Sequence, residues 1–128
     1  MSDQENAQER STVTLRLLAN EPKFLPNGFY PGAEPEDLRV ALQDIINDLV
    51  ENIIDLAPTE RTKPRILEMF RTLLDRLTQV DSEEKEQIGS YLERIMDILG
   101  IESSDGLLNT FVYGFDVQAL IQARRGEA

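Results

Sequence analysis

Apolar residues recur at intervals of three and four along most of this chain, and those intervals predict helices. Leu38, Leu42, Ile45, Ile46, Leu49, Val50, Ile53, Ile54 and Leu56 mark a helix from about Pro35 to Leu56. Pro35 suits the first helical position, where a missing N–H costs nothing, and Pro58 enforces the stop. A second helix begins between Thr59 and Pro64 and carries Ile66, Phe70, Leu73, Leu74, Leu77 and Val80 at the same spacing. Asp81 and Glu84 have the spacing of a capping box, ahead of a third stripe formed by Ile88, Tyr91, Leu92, Ile95, Met96 and Leu99. Gly100 supplies the left-handed residue that ends it. A fourth helical region opens at Ser103 to Asp105 and uses Leu107, Leu108, Phe111, Val112 and Phe115. Gly114 and Asp116 interrupt it before a last turn at Val117, Leu120 and Ile121.

The N-terminal third follows other rules. Residues 1–10, MSDQENAQER, are polar and read as a disordered tail, leaving 11–125 as a single helical domain. Ser11 and Thr12 could cap a short helix with Val13, Leu15, Leu17 and Leu18, but TVTLRLL also alternates like a strand, and the pattern leaves both open. Pro22 to Pro35 holds four prolines, two glycines and three aromatics, so it is neither regular helix nor central strand. Phe24, Phe29 and Tyr30 carry enough apolar area to lid one end of the core. Short connections make neighbouring helices antiparallel. The expected fold is all-α: a four-helix, up-and-down type bundle with an N-terminal Pro/Gly/aromatic loop and short extra helical segments.

Composition removes most chemistry. The chain has neither histidine nor cysteine, which excludes a disulfide framework, thiolate chemistry, a histidine-based triad and the Glu-x-x-His pairs of bundle di-metal sites. No lysine of the three, Lys23, Lys63 and Lys85, stands beside a serine as a buried amine would in a Ser-Lys dyad. ESSDGLLN lacks the ligand spacing of a calcium loop and reads as a helix N-cap. The expectation is a protein that is not an enzyme and needs no cofactor or metal. The N-terminus lacks a basic and apolar leader, and charges interrupt every apolar run, so a soluble, cytoplasmic chain is expected. A net charge of −11 disfavours direct contact with nucleic acid or anionic membranes and favours a basic protein partner.

One charge pattern stands out. With 100° per residue, Asp37, Asp44, Asp48, Glu51 and Asp55 fall on a ridge roughly 60° wide and about 27 Å long, opposite the apolar arc. Residues 34–57 hold seven acids against one arginine. Like charges at Asp44/Asp48, Asp48/Glu51 and Glu51/Asp55 should cost the helix about 1 kcal/mol together, so local stability alone would not select them. The ridge reads either as a docking strip for a basic surface or as a solvated face of an acidic protein. Arg61, Lys63, Arg65, Arg71 and Arg76 make the following segment basic, which suits ion pairs with an acidic neighbouring helix or contact with the ridge of a second copy. Phe29, Tyr30, Tyr113 and Phe115 form a secondary aromatic candidate surface, with core lidding as the alternative use.

The block FLPNGFYPG (Phe24–Gly32), the acidic amphipathic helix after it and the closing FVYGFD together resemble a family of short uncharacterised bacterial helical proteins. In size, charge and lack of catalytic groups the chain also resembles small acidic immunity proteins. That resemblance implies a protein that blocks the basic cleft of a toxin. The leading expectation is therefore a non-catalytic binding protein that occludes a basic partner surface, most plausibly an immunity or inhibitor protein. A homodimeric scaffold bundle and an acidic DNA mimic that competes for a DNA-binding protein are the alternatives.

Overall fold

The computed structural model describes residues 3–114 as five α-helices joined by short links and one long loop. They are α1 (Asp3–Asn20), α2 (Glu36–Asp55), α3 (Lys63–Asp75), α4 (Ser82–Leu99) and α5 (Leu107–Tyr113), with a single 3-10 turn at Pro58–Glu60. The protein is all-helical, and it has one helix more than the four-helix reading. Phe115 and the turn expected at Val117 to Ile121 lie outside the described residues.

The extra helix corrects the reading of the N-terminus. Residues from Asp3 onward are helical rather than a disordered tail, and Ser11 to Leu18 is the second half of that helix, neither a strand nor a short appendage. The apparent alternation splits by helical geometry: Leu15, Leu18 and Ala19 are buried, whereas Val13 and Leu17 point outward. The two threonines fit because their hydroxyls donate back along the helix, Thr12 to the Gln8 carbonyl at 3.1 Å and Thr14 to the Arg10 carbonyl at 2.9 Å. Ser11 caps nothing; its hydroxyl donates to the Ile98 carbonyl of α4 at 3.2 Å.

Helix α1 lies on α2 and α4, α2 also meets α3 and α4, and α5 spans α3 and α4. Their inner faces share one core in which Leu15, Leu18, Ile46, Val50, Ile53, Ile66, Phe70, Ile88, Leu92 and Ile95 are buried. Gly89 allows the α4–α5 approach, since a Cβ there would stand 3.0 Å from Cγ2 of Val112.

Helix ends match the sequence signals in part. Gly100 takes the left-handed conformation (φ 74°), and the Ile101 N–H closes back on the Met96 carbonyl at 2.9 Å. The N-cap of α5 is Gly106, which has no side chain to offer, and the Ser104 hydroxyl two residues earlier accepts the Leu108 N–H at 3.2 Å, so ESSDGLLN opens a helix with the cap bond supplied from outside the N-cap position. The capping box at Asp81 and Glu84 is not formed. Asp81 sits at the N-cap with no side-chain bond, and Glu84 is buried, where its carboxylate accepts the Tyr30 hydroxyl at 3.4 Å. Tertiary packing has diverted the glutamate away from its own helix end.

The loop from Glu21 to Pro35 folds onto α4. Phe24 is buried with its ring edge-on to Tyr91 at 5.0 Å between centroids, its N–H donates to the Tyr91 hydroxyl at 3.0 Å, and its carbonyl accepts the Ala33 N–H at 2.9 Å. These contacts hold Phe24 at φ 60°, a left-handed conformation that costs a residue with a Cβ about 1–2 kcal/mol. Asn27 and Tyr30 exchange two backbone hydrogen bonds of 2.9 Å around a tight turn whose tip is Gly28 and Phe29.

On this packing, Leu15→Ala should cost about 2–5 kcal/mol in urea unfolding, whereas Leu17→Ala should change stability by no more than about 0.5 kcal/mol. Equal costs at the two positions would restore the strand alternation, which puts both on one face.

Candidate functional site

The five carboxylates of the expected ridge all stand on α2 and all are exposed. Their helix buries Leu42, Ile46, Leu49, Val50 and Ile53 on the opposite side, so the core orients the ridge outward. Among the described residues, no lysine or arginine pairs with any of the five; the ion pairs present are Arg39–Glu36, Lys63–Asp105 and Arg94–Glu21. Local physics accounts for one member: Asp37 lies in the first turn, where the helix dipole favours an anion. Asp55 is at the other end, where the same dipole opposes a negative charge.

The basic helix does not neutralise the ridge. Arg65 and Arg71 of α3 and Arg76 just past its end are exposed and make no ion pair among the described residues. Lys63 reaches Asp105 at 2.9 Å. Arg61 turns inward and closes the end of α2: its Nε and one terminal nitrogen donate to the carbonyls of Ile53 and Ile54, each at 3.1 Å, and the other donates to the Thr12 hydroxyl at 2.8 Å. The expected exchange of ion pairs with the acidic neighbour is absent among the described residues, and α2 and α3 flank an open groove instead. That groove encloses about 320 Å³. Ile45, Leu49, Met69 and Leu73 form its floor, Asp48 and Asn52 one wall, and Arg65, Glu68, Thr72 and Arg76 the other.

The aromatic candidates divide. Phe29 is fully exposed at the turn tip, so it lids nothing, and Tyr113 is also exposed. Tyr30 is buried and cannot belong to a surface, because its hydroxyl is directed at Glu84. Phe115 is outside the described residues. Burial, with the Glu84 charge adding to it, pushes the Tyr30 phenol well above its usual range. Burial likewise raises Tyr91.

Lys23 was not legible as a buried amine. Its side chain is fully buried, with the ammonium donating to the Leu18 carbonyl and, at 2.9 Å, to the Glu21 carbonyl, which closes the C-terminal end of α1. Burial pushes this amine below the ordinary lysine range, opposed by the nearby Glu21 carboxylate. Its position directly after the helix end was the available signal, since terminal carbonyls attract cations there. Its partners are backbone oxygens with no hydroxyl among them, which is the arrangement of a structural cap. Among the described residues no group of three or more acidic side chains could hold a metal ion, and no helix is long and apolar enough to cross a membrane.

The fold and surface thus define an all-α domain with an exposed acidic helix beside a mixed-charge groove. Residues 2–116 match a domain of unknown function, DUF4844, and the chain belongs to that family. The match takes in all five helices, α1 included. The structure is similar to the crystal structure of a DUF3571 family protein from Acinetobacter baumannii AYE, with 27% sequence identity and a TM-score of 0.77 over 91% of this chain and 98% of that one. No curated protein matches the chain.

Ionisation of the Tyr30 and Tyr91 phenols, both raised by burial, should oppose folding at alkaline pH. A phenol whose folded pKa is raised contributes fully below the unfolded value of about 10 and loses that contribution as pH climbs through the folded one. Unfolding free energy should therefore fall above about pH 10, and Tyr30→Phe should flatten that fall. At pH 7 the same variant should cost about 1–3 kcal/mol, because Glu84 is left buried without its donor. An alkaline limb identical in wild type and variant would remove Tyr30 as its source.

Proposed function

We infer that this protein works by binding, with the α2 ridge docking on the basic surface of a partner protein and occluding it, as an inhibitor or immunity protein does. The observation that carries the reading is that Asp37, Asp44, Asp48, Glu51 and Asp55 are exposed along one line and have no cationic partner among the described residues, although Arg65, Arg71 and Arg76 stand unpaired on or just past the next helix. Such charges cost their own helix stability. Uncompensated, they raise encounter rates with a basic surface and discriminate against acidic ones. The adjoining apolar floor gives a docked partner something to bury, which surface charge alone does not.

The absence of histidine and cysteine supports a non-catalytic role, since those residues supply most side-chain proton transfer near neutrality and most tight zinc or copper ligation.

Affinity capture from the native cell tests this, with wild type and the double variant Asp48→Lys/Glu51→Lys as parallel baits. The variant should lose a basic protein that wild type retains, while its unfolding free energy stays within about 0.5 kcal/mol, because both positions are exposed and the reversal relieves like-charge contacts. Identical captured sets from the two baits would remove the ridge from consideration.

A further inference from the structure

We propose that the α2–α3 face is self-complementary and seats a second copy of this chain, the acidic ridge of each copy lying on the basic α3 of the other. This rests on the reading of the ridge as a docking surface and names its occupant. The groove has an acidic wall on α2, Asp48 backed by Asp44, Glu51 and Asp55, and a mainly basic wall on α3 and its C-cap, with Arg65 and Arg76 around Glu68. A two-fold axis along the groove turns one copy over so that each wall meets its opposite twice, which is the condition for a closed dimer. The groove's own charged residues, Asp48, Glu68, Arg65 and Arg76, sum to zero in a chain of net charge −11. A second acidic molecule therefore meets less repulsion along the groove than a net charge of −11 imposes on the chain as a whole.

Neither wall is satisfied within one copy. Asp48, Arg65, Glu68 and Arg76 form no ion pair among the described residues, and Ile45 and Met69 on the floor are only partly covered. Helix lengths limit the area. α3 is 13 residues long. Two helices side by side over about 20 Å offer on the order of 500 Å² per copy, about 1,000 Å² in all, at the lower edge of specific interfaces. The dimer is accordingly weak, salt-sensitive and in exchange with monomer.

Sedimentation velocity of the full chain from about 10 µM to about 1 mM, in about 50 mM and about 500 mM salt, reads this directly. The mass should rise with concentration from the 14.6 kDa monomer towards twice that value at low salt and fall back at high salt. Reversing the ridge (Asp44→Lys/Asp48→Lys) or the opposite wall (Arg65→Glu/Arg76→Glu) should each weaken association at least tenfold. An equimolar mixture of the two variants should restore it, because both contacts become complementary again. If a reversal unfolds the chain, the neutral Asp48→Asn and Arg65→Gln variants replace it, each with a weakening of severalfold. A monomer at every concentration overturns the proposal, as does a dimer that ignores both reversals or a mixture that fails to associate. Its failure leaves the occlusion reading intact, because a monomer whose ridge still captures a foreign basic protein satisfies one and refutes the other.

Discussion

The end of α1 depends on a buried cation. Eighteen residues of helix arrive at Asn20 with terminal carbonyls that have no partner in the helix, and the chain must then cross the core through a proline-rich loop. The Lys23 ammonium meets one of them, that of Leu18, together with the Glu21 carbonyl just past the helix, and its own backbone is fastened as well, the N–H to the Gln43 side chain at 2.8 Å and the carbonyl to Arg39 at 3.3 Å. One residue later Phe24 is inside the core against Tyr91. Burying an ammonium is tolerable only with such partners, and once made the arrangement lets a loop with four prolines lie over apolar side chains without stranded polar groups.

Other cations are committed as well. Lys23 and Arg61 are turned onto helix-end carbonyls, and Arg39, Lys63 and Arg94 are held in pairs with Glu36, Asp105 and Glu21. Among the described residues the middle of α2 has no cationic partner, although Arg65, Arg71 and Arg76 stand exposed and unpaired nearby. The helix that carries the ridge is held by five buried residues on the far side and by Arg61 at its end.

The likeness to the DUF3571 family protein covers nearly the whole of both chains, and the DUF4844 match begins at residue 2. α1 therefore belongs to the domain and is not an addition to it. Its contribution is physical as well: Leu15 and Leu18 fill the space between α2 and α4, and the hydroxyls of Ser11 and Thr12 tie it to both neighbours, through the Ile98 carbonyl and through Arg61.

Periodicity alone determined the helical class, the approximate spans of α2 and α4, the stops at Pro58 and Gly100, and the placement of five acids on one outward strip, because each follows from residues within a few positions of one another. It carried α3 on to Leu77 and Val80, past its end at Asp75. It left Ser11 to Leu18 open between helix and strand, since TVTLRLL satisfies both periods and burial by α2 and α4 decides which leucines face inward. It could not place Glu84, whose local role as a capping residue yields to Tyr30 from fifty-four positions away. Lys23, Arg61, the exposed Phe29 and the unpaired charges of the groove between α2 and α3 were likewise settled by tertiary structure. Where a long polar side chain ends depends on which orphan carbonyls or carboxylates the fold brings within reach, and that information is carried by contacts distant in sequence.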